Sequence, residues 1–531
     1  MHRLRAAALR GLLPGALLLA AAAPAHAQST RSDEERTALR FDAIRGEPPQ
    51  LTAFLRRMPK GADLHSHLSG AVYAESYVGW AAEAGLCVDR GTLGLAAPPC
   101  DSASGKVPAA QALRDAGLRG EMIDAWSMRN WNAARENGHD QFFDSFGKFG
   151  GAGQGRTGDM LAEATARAAH GRVSYLELML TPDGGSVAAL GAQAGWREGE
   201  GEEAQFRRLR ESLLAAGLRD TLAAASRALD AAEARRRELL RCGAAGADPG
   251  CGVEVRYLYQ VSRGRPPANV FAQVLAGFEM ASRDRRVVGF NLVQPEDGLL
   301  SMRDYSLHMR MIGHLRRLYP AVRFTLHAGE LAPGLVPPEG LRSHVREAVE
   351  VAGASRIGHG VDVMHEDDPH GLLREMARRG VLVEIALTSN DVILGIRGAD
   401  HPLSAYLAAG VPTALATDDE GVSRSEMSME FLKAAREQGL GYVQLKTMAR
   451  SSLEHAFVEG ASLWADGDAF RPVPACAADA GGLEGRRCRE HAAGSAKARL
   501  QRELERALAA FEREQAAEPG RAPVPAARQP A

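Results

Sequence analysis

His65-Ser66-His67 sets two imidazoles two positions apart within the run MPKGADLHSHLSG. On a strand, alternate residues share a face, so both rings point the same way and suit two ligands of one metal ion. By itself the pair is a weak signal, since two histidines near a strand end are often ordinary core or surface residues. Three further clusters shift that balance. His327-Ala-Gly-Glu330 follows the apolar run VRFTL, Ile357-Gly-His359-Gly360 ends another such run, and Thr417-Asp418-Asp419 follows ALA. Each sets acid, base or metal-ligand chemistry where a strand stops and a loop begins. Buried charge is costly unless paired or metal-bound, so four coincidences of this kind point to a polar site rather than to packing.

The elements that must position these residues form a repeating pattern. Eight β-branched or apolar runs, at 61–68, 173–180, 253–261, 287–293, 322–327, 356–359, 381–387 and 413–417, alternate with Ala/Leu/Arg-rich helical stretches. VLVEIAL at 381–387 is continuously apolar apart from one acid, as expected of a strand covered on both faces. The pattern predicts an α/β fold, a (β/α)8 TIM barrel with helical insertions, although strand counting by itself leaves a doubly wound sheet open. In a barrel the C-terminal strand ends converge on one mouth, which would bring the four clusters together.

One barrel domain is expected over residues 28–514, with insertions near 79–120 and 183–251. The second holds a long amphipathic segment, 202–241, whose charge reads as a solvated helix face. Residues 1–27 read as a signal peptide, with Arg3, Arg5 and Arg10, a short apolar stretch and Ala25-His26-Ala27. That stretch is too short to span a bilayer. Residues 515–531 are Ala/Pro-rich and expected to be a disordered tail.

Sixty-four basic against 66 acidic residues leave a formal charge of −2, without the basic excess of a nucleic-acid-binding surface. The six cysteines fall into near-neighbour pairs, 87 with 100, 242 with 251 and 476 with 488. An even count behind an export signal reads as disulfides. A structural zinc site is the alternative, but no Cys-x-x-Cys occurs. The expected location is exported, periplasmic or secreted, with no membrane attachment after signal removal.

With MPKGADLHSHLSG at 58–70, HAGE at 327–330, RIGHG at 356–360, TSN at 388–390 and TDD at 417–419 in order, the chain resembles the adenosine deaminase family of metal-dependent hydrolases. The likeness runs from about residue 58 to 460. The leader, the MPKG start and the cysteine pairs look closest to the secreted growth-factor-like branch and its bacterial exported relatives. The resemblance implies one Zn²⁺ held by His65, His67, His327 and Asp418. It implies Glu330 as the acid at purine N1, His359 steadying the developing charge, and Asp419 aiming the attacking water. The implied activity is hydrolytic deamination of adenosine or 2′-deoxyadenosine to inosine or 2′-deoxyinosine. Alternatives are deamination of adenine or another 6-aminopurine, or an inactive secreted nucleoside-binding or signalling protein. The partner is a small purine nucleoside, and a homodimer is left open.

Substrate contacts are expected from His67, Ser69, Phe146, Gln294 and Asp419. Two of these depart from the family pattern: Ser69 stands where an Asp contacts ribose, and Gln294 where a Gly meets the purine. Glu420 also replaces a common Pro after the acid pair. Phe142, Phe143, Phe146 and Phe149 resemble the hydrophobic lid helix and fit an ordinary amphipathic core helix equally well. The G-x-G-x-x-G letters at 153–158 follow no strand, so they read as a loop and not a dinucleotide site. His139, His170, His308, His314 and His344 lack a motif and read as surface or structural.

Overall fold

The computed structural model describes residues 31–134, 137–467 and 469–518. The signal segment expected at 1–27 lies outside the described residues.

Eight parallel strands are found where the sequence places them, shifted by a few residues at their ends. They are β1 (Gly61–His67), β2 (Val173–Leu180), β3 (Glu254–Ser262), β4 (Val287–Val293), β5 (Thr325–Ala328), β6 (Arg356–His359), β7 (Leu382–Ile385) and β8 (Thr413–Leu415). Strands β1 to β4 pair in chain order as one sheet, and β5 to β8 as another. Two seams close them into a barrel. At one, the Asp418 N–H donates to the His65 carbonyl at 2.8 Å and the His67 N–H to the Asp418 carbonyl at 3.0 Å. At the other, the Asn291 side-chain oxygen of β4 accepts the His327 N–H of β5 at 2.8 Å. The fold is a (β/α)8 barrel.

Apolar residues at the strand starts are capped by the last described helix. Leu500, Leu504 and Leu508 of Ala496–Ala517 pack with Ala62, Leu64, Tyr175, Leu382 and Ala414. They recur every four residues, which puts them on one helix face. Helix Asp33–Ile44 begins with a capping box, Ser32 with Glu35, and lies against the same terminal helix, where the Thr37 hydroxyl donates to the Glu512 carbonyl at 3.3 Å. That terminal helix runs to Ala517 with Gln515 buried, so residues 515–517, expected in the tail, are helical instead. Residues 519–531 lie outside the described residues.

The expected insertions take definite shapes. Cys87–Asp89, Leu95–Ala96 and Lys106–Pro108 form a small antiparallel sheet tied by the Cys87–Cys100 disulfide. The stretch expected as one amphipathic segment over 202–241 is two helices, Glu202–Ala215 and Leu218–Leu239, broken at Gly217 with φ 87°. Cys242–Cys251 and Cys476–Cys488 are also disulfide-bonded. No described helix is long and apolar enough to cross a membrane. The glycine-rich letters at 153–158 lead from a short 3-10 turn into helix Thr157–His170, with no strand before them.

Candidate active site

The four strand-end clusters meet at one mouth. His65 Nε2 lies 3.1 Å from His327 Nε2, and His67 Nε2 lies 3.2 Å from it. Asp418 Oδ1 stands 3.3 Å from both His65 Nε2 and His67 Nε2. Four donors arranged tetrahedrally about a zinc-sized ion stand about 3.3 Å apart. The hydrogen-bonding logic agrees with that spacing. His65 Nδ1 is 2.6 Å from Glu384 Oε2, a carboxylate that only accepts, so the ring's proton is on Nδ1 and its Nε2 lone pair faces the cluster. Asp418 Oδ2 accepts from Ser389 Oγ at 2.7 Å, whereas its Oδ1 is buried with no partner. The His65 lone pair and the unpartnered Asp418 oxygen, turned on one another, fit a cation between them.

Two glycines make this convergence possible. A Cβ on Gly70 would fall 1.5 Å from Asp419 Oδ1, and one on Gly358 would fall 2.5 Å from the His65 ring. The backbone is strained where it delivers the side chains. His359, Asp418 and Gln294 all have left-handed φ, at 69°, 58° and 81°. Such conformations in non-glycine residues persist where surrounding structure holds them.

Around the four donors sit groups whose ionisation is displaced. Burial, reinforced by the Asp418 charge, pushes Glu330 up to about 8. Burial and the same neighbour also raise Asp419 well above the usual carboxylate range. Burial lowers His359 to about 3 and holds it neutral. His359 Nε2 and Asp419 Oδ1 are buried and unpartnered, and His359 Nε2 is 3.6 Å from Glu330 Oε1. A neutral carboxylic acid, a neutral imidazole and an unpartnered carboxyl oxygen thus lie together, an arrangement suited to acid–base chemistry.

Glu330 and Asp419 open on a cavity of about 400 Å³, lined besides by His67, Ser69, Phe142, Phe143, Phe146, Gln260, Val293, Gln294, Pro295, His327 and Asp418, with His359 outside its lining. All five expected substrate contacts line it. Ser69 and Gln260 also line an adjoining cavity of about 280 Å³. The Phe cluster lies on helix Gly138–Phe149: Phe142 and Phe149 are buried, while Phe143 and Phe146 are half-buried and Phe146 faces the cavity. His139 of this helix holds Asp297 through Nε2 and Asp140 through Nδ1, each at 3.0 Å. Gln294 adopts the backbone conformation that favours the glycine expected there, and its Oε1 accepts the Gly264 N–H at 2.9 Å. Glu420 is buried beneath the site, in a small space shared with Asp63 and Thr417.

Several supporting residues carry no motif of their own. Glu330 sits in a loop held by Glu296, whose oxygens accept the backbone N–H of Gly329 at 3.1 Å and of Glu330 at 3.0 Å. His344, read from sequence only as surface or structural, is 2.5 Å from Glu296 through Nδ1 and stacks on Tyr305 with ring centres 3.6 Å apart. Glu384 is fixed by buried Arg356, at 2.6 Å, and Arg356 also reaches Glu177 at 2.5 Å. Glu296 and Glu384 are visible in the sequence only as acids inside apolar strand or strand-end runs.

Residues 222–462 match the family model described as adenosine deaminase. The matched segment contains His327, Glu330, His359, Asp418 and Asp419; His65 and His67 lie before it. The chain is 32% identical over 219 residues to an adenosine deaminase of Serratia proteamaculans, a match covering 36% of this chain and 63% of that protein. It is 29% identical over 308 residues to an adenine deaminase of Sinorhizobium medicae, covering 56% of this chain and 75% of that protein. Among solved structures, an N6-methyl-AMP deaminase of Arabidopsis thaliana aligns over 77% of this chain and 94% of its own, with 20% identity and a TM-score of 0.48.

Proposed function

We propose, from the match of residues 222–462 to the adenosine deaminase family model and the 32% identity over 219 residues to an adenosine deaminase, that this chain hydrolyses the 6-amino group of adenosine or 2′-deoxyadenosine. The products are the corresponding inosine-type nucleoside and ammonia. The observation that carries this reading is the convergence of four metal-type donors with Glu330, His359 and Asp419 at the barrel mouth, beside one cavity.

His65, His67, His327 and Asp418 would hold one Zn²⁺. When bound, zinc supplies positive charge that lowers the pKa of water and offsets carboxylate repulsion at Asp419. The chain's own residues do the rest. Glu330, kept protonated by burial, gives its proton to purine N1 and makes C6 electrophilic. Asp419 accepts a hydrogen bond from the attacking water and takes its proton. His359 donates to the oxygen as it bonds to C6. The C6–N bond then breaks, the amino group leaves as ammonia with the proton held at Asp419, and the proton remaining on the C6 oxygen passes to Glu330, which leaves a C6 carbonyl and restores the acid.

The lining of the two cavities supports an uncharged nucleoside. No Lys or Arg lines either of them among the described residues, so nothing there neutralises a phosphate. The second cavity offers room beyond the base, next to Ser69. Adenine is the second reading, favoured by the longer match to an adenine deaminase. The three disulfides support the exported location proposed from residues 1–27, periplasmic or secreted. The MPKG start and the cysteine pairs support placement near the secreted growth-factor-like branch.

Protein beginning at residue 28 is tested with adenosine, 2′-deoxyadenosine and adenine, following the ultraviolet shift and ammonia release with and without a chelator. Turnover of the nucleosides above adenine, lost on chelation, is the expected result. No turnover of any 6-aminopurine by metal-replete protein overturns the proposal, and a preference for adenine replaces it with the second reading.

A further inference from the structure

The protonation pattern of His359 is dictated by a hydrogen-bond chain that starts outside the cavity. The backbone N–H of Leu403 points at His401 Nδ1, 3.1 Å away. A backbone amide can only donate, so Nδ1 carries a lone pair and the ring proton of His401 sits on Nε2. His401 Nε2 reaches Asn390 Oδ1 at 3.1 Å. The other arm of that amide, Nδ2, is therefore turned to His359 Nδ1, at 2.9 Å. An amide NH2 can only donate, so His359 Nδ1 is an acceptor and the neutral ring carries its proton on Nε2. The direction of every bond follows from one backbone amide, which also fixes the orientation of the Asn390 side chain.

All three side chains are fully buried or nearly so. The resulting His359 Nε2–H is aimed toward Glu330 and finds no acceptor in the protein. It also lies among donors that could bind a metal, since His359 groups with His65, His327 and Asp418 as closely as a metal site would require. An N–H cannot coordinate a cation, whereas the opposite tautomer could.

We propose that Asn390 and His401 are positioning residues that lock His359 as an Nε2–H donor, so that it hydrogen-bonds oxygen arriving at the substrate carbon and is barred from becoming a metal ligand. The catalytic part of this rests on the deamination proposed above; the tautomer itself does not. Neither Asn390 nor His401 lines the cavity, and their side chains hydrogen-bond to His359, to each other and to the Leu403 amide. The left-handed backbone at His359 aims the ring, and the Asn390–His401 chain sets which of its nitrogens bears the proton.

The test is ¹⁵N–¹H correlation NMR of histidine-labelled protein, metal-free and without substrate, with the His359 resonance assigned by its loss in His359→Gln. The expected wild-type signal is the Nε2–H tautomer. Asn390→Asp replaces the donating amide by an accepting carboxylate of the same shape, so His359 is expected to move its proton to Nδ1. With zinc restored, that variant is expected to lose kcat by about 10²-fold with KM little changed. His401→Gln, whose amide can still donate to Asn390 Oδ1, is expected to keep the wild-type tautomer and most of kcat. If Asn390→Asp does not fold, His401→Leu releases the Asn390 amide, and a mixed His359 tautomer is the expected signal. An Nδ1–H tautomer in the wild type, or an unmoved tautomer in whichever of Asn390→Asp and His401→Leu folds, overturns the proposal. Absence of deaminase turnover in wild-type protein would sink the functional reading while leaving the tautomer measurable.

Discussion

The Glu296 carboxylate accepts the backbone N–H of Glu330 at 3.0 Å, so the loop that presents the candidate acid is anchored by another acid. Glu296 is itself held by His344 at 2.5 Å and lies 3.6 Å from Arg263. Through these partners it remains ionised, pulled down to about 2 against its burial by the Arg263 charge and the His344 hydrogen bond. A charged, fully engaged carboxylate is a rigid anchor for a loop that must aim a proton.

Glu296→Gln keeps the shape and loses one acceptor oxygen. Glu330 should then be misaimed, with kcat falling by about 10²-fold while zinc content is unchanged. Metal analysis beside steady-state kinetics checks this, and loss of zinc would place Glu296 in the metal site instead.

Glu330→Gln should retain zinc and lose activity by about 10²- to 10⁴-fold, because the proton source goes and the donors stay. In the wild-type protein the acid form prevails below about 8 and is lost as pH rises through that value. The kcat/KM profile should therefore fall on its alkaline side near pH 8. Retention of the same limb in the residual activity of Glu330→Gln would assign it to another group.

Removing the metal should abolish turnover, and Zn²⁺ should restore it. His65→Ala or His327→Ala should prevent restoration, since each deletes one of four converging donors. Measured zinc stoichiometry near one in the wild type and near zero in the variants is the expected outcome.

Arg356 is buried between Glu384 and Glu177. Arg356→Met would leave two buried carboxylates without their cation, a loss of about 3–5 kcal/mol. Denaturant unfolding should show it, and zinc affinity should fall as well because Glu384 orients His65. An unchanged unfolding midpoint would mean that the carboxylates find other partners.

His139 ties the Phe-bearing helix to Asp297, and that hydrogen bond, with Asp140, pushes its pKa up to about 9. The tie is charged below that pH and weakens above it. His139→Gln should raise KM by about tenfold, or about 1.4 kcal/mol, with a smaller effect on kcat. A change confined to kcat would argue against a lid that closes on substrate.

The residues that could do chemistry were legible in the sequence because their signals are local. Two histidines at i and i+2, or an acid two residues beyond a strand, can be read from neighbours alone, and alternation of apolar runs with helical stretches located all eight strands. Cysteine proximity likewise anticipated the three disulfides. Gln294 was harder: its side chain suggested altered chemistry, while its φ of 81° shows a residue bearing a glycine's conformation. The rest is long-range. Glu384 meets His65 across 319 residues and Arg356 meets Glu177 across 179. No spacing rule joins such pairs; only barrel closure brings them into contact. Whether His359 offers a proton or a lone pair depends on the donor–acceptor order from Leu403 through His401 and Asn390. Sequence determined which groups are present at the strand ends, whereas the folded hydrogen-bond network decided which atom of each faces the cavity, because bond direction exists only once the partners are in place.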